Sequence, residues 1–351
     1  MTHPHLAELL NPRSIAIVGA NDRGNPGARA FKNIVNVGFN GPIYLVNPNY
    51  DTLEGQHCYP SLAALPETPQ SIIVAVPVAS ALQVVREAAA IGAPSTVLFC
   101  DGFSDLGTAE GVRRTAELTA LAERTRMAVQ GPNCMGTLSL QHRYSSTFVR
   151  PPQSLRAGGI SIVSQSGGLI NAFLELGSNR ALGFNYLISA GNETVVNGAD
   201  YLDWVAGDSA TKVIICVVEG VKDGTRFRAA LERAVCAKPV VVLKLGRTDA
   251  GQLATLAHTG SLAGSDKVFA AVCRQCGATL VDTVDAALES AAMFINVRRR
   301  HRADHRSRDE AWTSLSATGG RDQQRIAAHL RSGKELHQSV RRDRAAAACP
   351  W

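Results

Sequence analysis

One stretch of the chain concentrates residue types that can do chemistry: Thr255 to Asp266, reading T-L-A-H-T-G-S-L-A-G-S-D. A single histidine, His258, stands among hydroxyls, glycines and alanines, with no bulky side chain close after it. A neutral imidazole is a nucleophile near neutral pH. Small neighbours let a loop move and let a large anion approach the ring. The plain alternative is an incidental histidine on a Gly/Ser surface loop. Three other stretches argue against that alternative. Glu219-Gly220-Val221-Lys222-Asp223-Gly224 follows an apolar run, and a carboxylate there can accept a proton from an imidazole and fix its tautomer. Ser164-Gln165-Ser166-Gly167-Gly168 joins an apolar run to a helical one, which suits an anion held on backbone amides at a helix N-terminus. It does not make a serine nucleophile elbow, because Ser164 stands where G-x-S-x-G needs its first glycine. Gly19 to Gly27 is a third turn of this kind, with the spacing G-x4-G-x2-G.

The elements that must position these residues read as alternating strands and helices. Apolar runs at 14–18, 43–46, 72–76, 96–100 and 127–129 predict five strands. Helical patterns at 28–37, 79–91 and 108–126 fall between them. Pro151-Pro152-Gln153-Ser154 reads as a linker, and a second series of strands follows at 160–163, 186–189, 213–218, 240–245 and 278–281. Alternation of this kind predicts parallel sheets with right-handed crossovers, and ligands beyond the carboxyl ends of the strands. Gly19, Asn47-Pro48, Val76-Pro77 and Gly131-Pro132-Asn133-Cys134 all fall at such ends. The first turn is not G-x-G-x-x-G, and Asn47-Pro48-Asn49 stands where a dinucleotide fold places an acid for the ribose. Both points argue against a nicotinamide-dependent oxidoreductase, a reading that cofactor titration would settle.

Composition narrows the class. With 351 residues the chain is long enough for two domains, and 45% hydrophobic content with only 5% aromatics suits parallel sheets. No apolar run reaches a membrane span, and residues 1–13 lack a secretory pattern. The eight cysteines are scattered, several inside apparent strands, so reduced thiols and a cytoplasmic protein are expected. Cys273 and Cys276 form a lone C-x-x-C within a helical pattern, which reads as two helical cysteines and no metal site. The net charge of +6 is misleading. Residues 298–351 hold 13 of the 36 Lys and Arg but only 6 of the 30 Asp and Glu, so that segment carries +7 and the rest −1. Nucleic-acid binding therefore has no basis in the charge of the body. Beyond Val297 the chain is Arg-rich and lacks apolar periodicity, and no third domain is expected there.

Taken together, Gly19 to Arg23, Val46 to Pro48, Ala75 to Pro77, Gly131 to Gly136, Ser164 to Gly168, Ser189 to Glu193, Glu219-Gly220 and Ala257 to Ser261 resemble the NDP-forming acyl-CoA synthetase superfamily. That superfamily includes the α part of ADP-forming acetyl-CoA synthetase and, more remotely, the α subunit of succinyl-CoA synthetase. The resemblance covers about residues 8–296. It implies an α/β chain with a CoA-binding Rossmann-like domain over 8–150 and a flavodoxin-like ligase domain over 151–297; residues 298–351 read, from their charge and lack of periodicity, as an irregular basic tail. It implies that His258 carries phosphate between an acyl phosphate and ADP, that Glu219 stabilises the modified ring, and that Ser164, Gln165, Ser166 and Gly167 hold the phosphate. CoA is then expected at Gly19, Ala20, Asn21, Arg23, Asn47, Pro48, Val76, Pro77, Asn133 and Cys134. The carboxylic acid is the second substrate, and ADP or ATP with Mg2+ is expected on an ATP-grasp β-type partner. The sequence departs from the family pattern at Asn49, where a lysine is common. The small third domain usual in such chains is replaced by the Arg-rich tail, as a frameshift or truncation would produce. The alternative of a different class is a CoA-binding or regulatory module without catalysis, which an adjacent coding region for an ATP-grasp domain would disfavour.

Overall fold

A computed structural model describes residues 3–246 and 265–296. Residues 1–291 form one compact unit and residues 292–351 a second, described only over 292–296, where it is helical. Two seven-stranded sheets make up the first unit. The strands of the first sheet are β1 (Ile15–Val18), β2 (Ile43–Val46), β3 (Thr52–Leu53), β4 (Gln56–Tyr59), β5 (Ser71–Val74), β6 (Ser95–Leu98) and β7 (Ala128–Gln130). Their spatial order is β3-β4-β2-β1-β5-β6-β7, parallel except for the β3–β4 hairpin. All four residues of β1 are buried, as a strand covered on both faces requires. Ile15 and Ile17 enter one core while Ala16 and Val18 enter the other, which is the period of two that a pleated strand imposes.

The second sheet runs β14-β13-β12-β10-β11-β8-β9. Its strands are β8 (Thr137–Ser139), β9 (Tyr144–Ser145), β10 (Arg156–Ser164), β11 (Gly183–Ser189), β12 (Val213–Val218), β13 (Val240–Lys244) and β14 (Thr279–Val281). Its helices include α5 (Gly167–Asn179), α6 (Gly198–Gly207) and α7 (Gly224–Ala237), and the first sheet carries α1 (Leu6–Leu10), α2 (Pro26–Asn36), α3 (Val78–Ala90) and α4 (Ala109–Thr125). Helix starts follow local capping chemistry. Asn25 accepts from the Ala28 amide with Pro26 behind it, Thr108 from Gly111, Asp223 from Arg226, and Asn197 with Asp200 closes a capping box.

The chain crosses to the second sheet earlier than the Pro151 to Ser154 stretch suggests. β8 pairs antiparallel with β11, and β9 extends it. The Asn33 amide of α2 donates to the carbonyls of Thr147 (2.7 Å) and Val149 (2.8 Å), binding the crossing segment back onto the first sheet. One apolar core accordingly runs from β1 and α2 through Tyr144 to β10, β12 and α7. Thiols at Cys58, Cys100, Cys134, Cys216, Cys273 and Cys276 are free. Cys273 and Cys276 lie in the helix Asp266–Cys276. Among the described residues no group of three or more metal-ligating side chains converges, and no helix is long and apolar enough to cross a membrane.

Candidate functional site

Both sheets place their turns by the same rule. The chain leaves β10 for β11 on one side and returns to β12 on the other, so the loops after β10 and β12 diverge and leave a crevice between them. Ser164 ends β10 and leads into Gln165 to Gly168, and Glu219-Gly220 follows β12. Two residues far apart in sequence thus face each other because β10 and β12 are neighbours, in register from Ile160 opposite Val213 to Ser164 opposite Val217.

Gln165 joins the two loops. Its Oε1 accepts from the backbone amides of Glu219 (2.5 Å) and Gly220 (3.1 Å). Its Nε2 donates to the Gly220 carbonyl (2.9 Å) and to Oε2 of Glu193 (2.9 Å). Two flanking N–H donors and a flanking carbonyl fix which end of the amide is oxygen. Its backbone N–H donates to the Val217 carbonyl (3.2 Å). No donor of Gln165 is therefore left for a phosphate, which differs from the expectation that it holds one. Ser164 differs in the same way: it is fully buried, and its hydroxyl donates to the Ser166 carbonyl (2.8 Å). What faces outward in the Ser164 to Gly168 turn is Ser166, whose side chain makes no capping bond, together with Gly167 and Gly168 at the start of α5.

A cavity of about 170 Å³ lies over this turn. Gln165, Gly167, Gly168 and Glu219 line it from the second sheet, and Asn133 and Cys134 line it from the turn that follows β7. Glu219 is only 5% exposed, and its carbonyl accepts from the buried ammonium of Lys244 (2.8 Å). Asn192, after β11, ties the two sides together. Its Nδ2 donates to Asp105 (2.8 Å), its Oδ1 accepts from Asn133 (3.4 Å), and its carbonyl accepts from Lys222 (2.7 Å). Asn192 and Glu193 belong to the Ser189 to Glu193 stretch, whose sequence assigns neither a role. Their polarity immediately after a buried strand was the available signal. Glu193 is 8% exposed, and burial pushes its carboxyl up to about 7.

In the first sheet the crevice lies between β1 and β5. Gly19 has φ +93°, and a Cβ there would sit 2.5 Å from Val76 Cγ1 and 2.8 Å from the Ala75 carbonyl, so only glycine lets these two strand ends meet. Asn21 and Asn25 hold the turn internally, and Asn25 Nδ2 donates to the Gly19 carbonyl (2.7 Å). Asn47 Nδ2 donates to the Ala20 carbonyl (2.8 Å), fastening the β2 end to the same turn. Pro77 caps α3, while Pro48 and Arg23 are exposed on this rim. A preformed glycine turn, an exposed guanidinium and an apolar Val76-Pro77 edge suit a nucleotide carrying phosphates. Cys134 is placed differently from a ligand-contacting thiol. It is 3% exposed, it donates to the Leu98 carbonyl (3.2 Å), and burial pushes its pKa up to about 12. His258 and its loop lie outside the described residues, as does the tail from Arg298.

Comparison with known proteins gives two domain matches. Residues 13–139 match a CoA binding domain, and residues 157–294 match a succinyl-CoA ligase like flavodoxin domain. Acetate–CoA ligase (ADP-forming) I of Archaeoglobus fulgidus is 34% identical over 296 residues, covering 84% of this chain and 42% of the relative. The α subunit of acetate–CoA ligase (ADP-forming) II of Pyrococcus furiosus is 33% identical over 287 residues, covering 82% of this chain and 62% of that subunit. The dinucleotide forming acetyl-coenzyme A synthetase 1 of Ca. Korarchaeum cryptofilum, solved with phosphate and ADP, superimposes with a TM-score of 0.76 at 32% identity. That match covers 81% of this chain and 61% of the synthetase chain. The chain thus spans less than two thirds of the length of each of these relatives.

Proposed function

Because the chain belongs, through both of its domains, to the NDP-forming acyl-CoA synthetase superfamily, we propose that it is the CoA-binding, α-type portion of an ADP-forming acyl-CoA synthetase. Such an acid–thiol ligase interconverts acyl-CoA, phosphate and ADP with acid, CoA and ATP. The observation that carries this reading is the cavity that Asn133, from the CoA-side turn, shares with Gly167 and Glu219 of the second sheet. A thioester delivered along the first crevice would meet phosphate at the start of α5. Phosphate oxygen attacks the thioester carbonyl, the C–S bond breaks, and an acyl phosphate and CoA result. The His258 imidazole then attacks phosphorus, the P–O bond to the acyl group breaks, and the carboxylic acid leaves. Transfer from the ring to ADP forms ATP.

In this reading Ser166 and the amides of Gly167 and Gly168 hold the anion, aided by the α5 N-terminus at roughly 0.3–1 kcal/mol. Glu219 accepts a hydrogen bond from the ring and stabilises its modified form. Gly19, Ala20, Asn21, Arg23, Asn47, Pro48, Val76 and Pro77 bind CoA, with Cys134 supporting the Asn133 turn from beneath. ADP or ATP with Mg2+ sits on an ATP-grasp β-type partner, and the assembly works in the cytoplasm. The test is CoA-dependent activation of acetate with ATP, measured for the chain alone and with a candidate ATP-grasp subunit. Acetyl-CoA formed only by the mixture supports the reading. CoA that binds neither preparation in calorimetry refutes it.

A further inference from the structure

The bonds of Gln165 carry an inference beyond that reading, resting on it only for its kinetic half. We infer that Gln165 is a positioning residue for Glu219, and that Glu193 is the anchor that holds Gln165 in place. The argument is one of hydrogen-bond capacity. A glutamine amide has two N–H donors and an oxygen with two lone pairs, and here all four are taken by Glu219, Gly220 and Glu193. Three of the four bonds go to the backbone of the Glu219-Gly220 turn. That turn has left the sheet, because the last parallel partners of β12 are Val217 with Ser164 and Val218 with Lys244. Past Val218 the ladder no longer dictates where the chain points. Gln165 supplies partners for the Glu219 and Gly220 amides and the Gly220 carbonyl, beside the Lys244 ammonium on the Glu219 carbonyl, and the peptide so gripped sets where the Glu219 side chain leaves the backbone.

Glu193 makes this clamp rigid. It lies after β11, on the far side of Gln165 from Glu219, at φ +51° and nine-tenths buried. The Lys222 ammonium, which follows the Glu219 turn, donates to the carbonyls of Asn192 (2.7 Å) and Glu193 (3.3 Å). The β11 loop therefore holds the Glu219 turn at two points, one through Gln165 and one through Lys222. A second cavity of about 190 Å³, lined by Gln165, Glu193, Gly220 and Lys222, lies behind this bridge. Without Gln165 the turn would have open space to relax into. Loss of the clamp would thus displace Glu219 without unfolding the domain.

Two measurements on the full chain test this. Hydrogen exchange followed by mass spectrometry reads the Glu219 and Gly220 amides directly, with no dependence on catalysis. Protection of a peptide spanning these residues should fall in Gln165→Ala and in Glu193→Ala, while Glu193→Gln, which keeps an acceptor, should retain more of it than Glu193→Ala. Unchanged protection in both alanine variants overturns the clamp. The second measurement is phosphoryl labelling of the chain from labelled acetyl phosphate. A displaced Glu219 should lower the maximal labelling rate roughly tenfold to a hundredfold at an unchanged half-saturating acetyl phosphate concentration. The double variant should lose no more than Gln165→Ala alone, because the two residues act as one unit. A raised half-saturating concentration with a normal maximal rate would make Gln165 a phosphate ligand and overturn the inference. Absence of label in the unsubstituted chain would instead count against the phosphohistidine reading, with the exchange data still deciding the clamp. Thermal melts of each variant identify any that fail to fold, and the remaining variant then carries the test.

Discussion

Glu193 places a carboxyl where water is largely excluded, and the consequences can be read as a function of pH. Burial is the leading cause of its raised pKa; the Gln165 amide, the Lys222 ammonium and the Gly198 amide pull the other way, and Asp200 adds to the rise. A raised carboxyl favours the folded state fully only below its unfolded pKa, and that contribution is lost as pH rises through about 7. Glu193→Gln removes the titration. Denaturant unfolding at pH 5 and pH 8 should therefore show the variant gaining on the unsubstituted chain by up to about 3 kcal/mol. A stability difference that does not change between these pH values would show that Glu193 does not titrate in this range. Arg23 behaves differently because it is exposed: Arg23→Ala should weaken CoA binding in calorimetry and leave the melting temperature within a degree or two, as surface changes usually do. Equal affinity for CoA in both chains would remove Arg23 from the site.

At the scale of elements, function is set by which strand ends are neighbours. Gly19 meets Val76 because β1 and β5 pair in register, from Ile15 opposite Ser71 to Val18 opposite Val74. Gly19→Val should both block CoA binding and cost about 1–3 kcal/mol of stability, since it forces a branched side chain into positive φ against Val76. A stable variant with normal CoA affinity would show that the crevice lies elsewhere. Much of this was legible in the sequence. The main strands announce themselves as apolar runs, and the turns carry Gly, Pro and Asn at their carboxyl ends. The β3–β4 hairpin was not found, although Glu54-Gly55 is a two-residue turn with both φ positive, because its strands hold only two and four residues. β8 and β9 were missed for the same reason, and with them the early crossing to the second sheet. The role of Gln165 was illegible in principle. A glutamine in a Ser/Gly turn suggests an anion contact, and only the spatial neighbours show that its bonds are spent inside the protein.

For the molecule as a whole, the shared core predicts that both sheets fold together. Tyr144 and the Asn33 bonds tie the first sheet to the second, and the apolar cluster is continuous from α2 to α7. Calorimetry should show one cooperative transition for this body, moved upward as a unit by CoA at about 2.7 kcal/mol for a concentration one hundred times Kd. Two separate transitions, with only the first moved by CoA, would show that the sheets are independent. The chain resembles its relatives over both sheets yet spans less than two thirds of their length, and the proposed function puts nucleotide binding on a partner. In the proposed function His258 is where the acyl and nucleotide halves of the reaction meet. The decisive measurement is incubation of the chain with labelled ATP and an ATP-grasp subunit, followed by analysis of the protein-bound phosphate. The predicted result is an acid-labile, base-stable label that His258→Asn abolishes and Glu219→Gln reduces. Label that persists in the His258→Asn chain would contradict it.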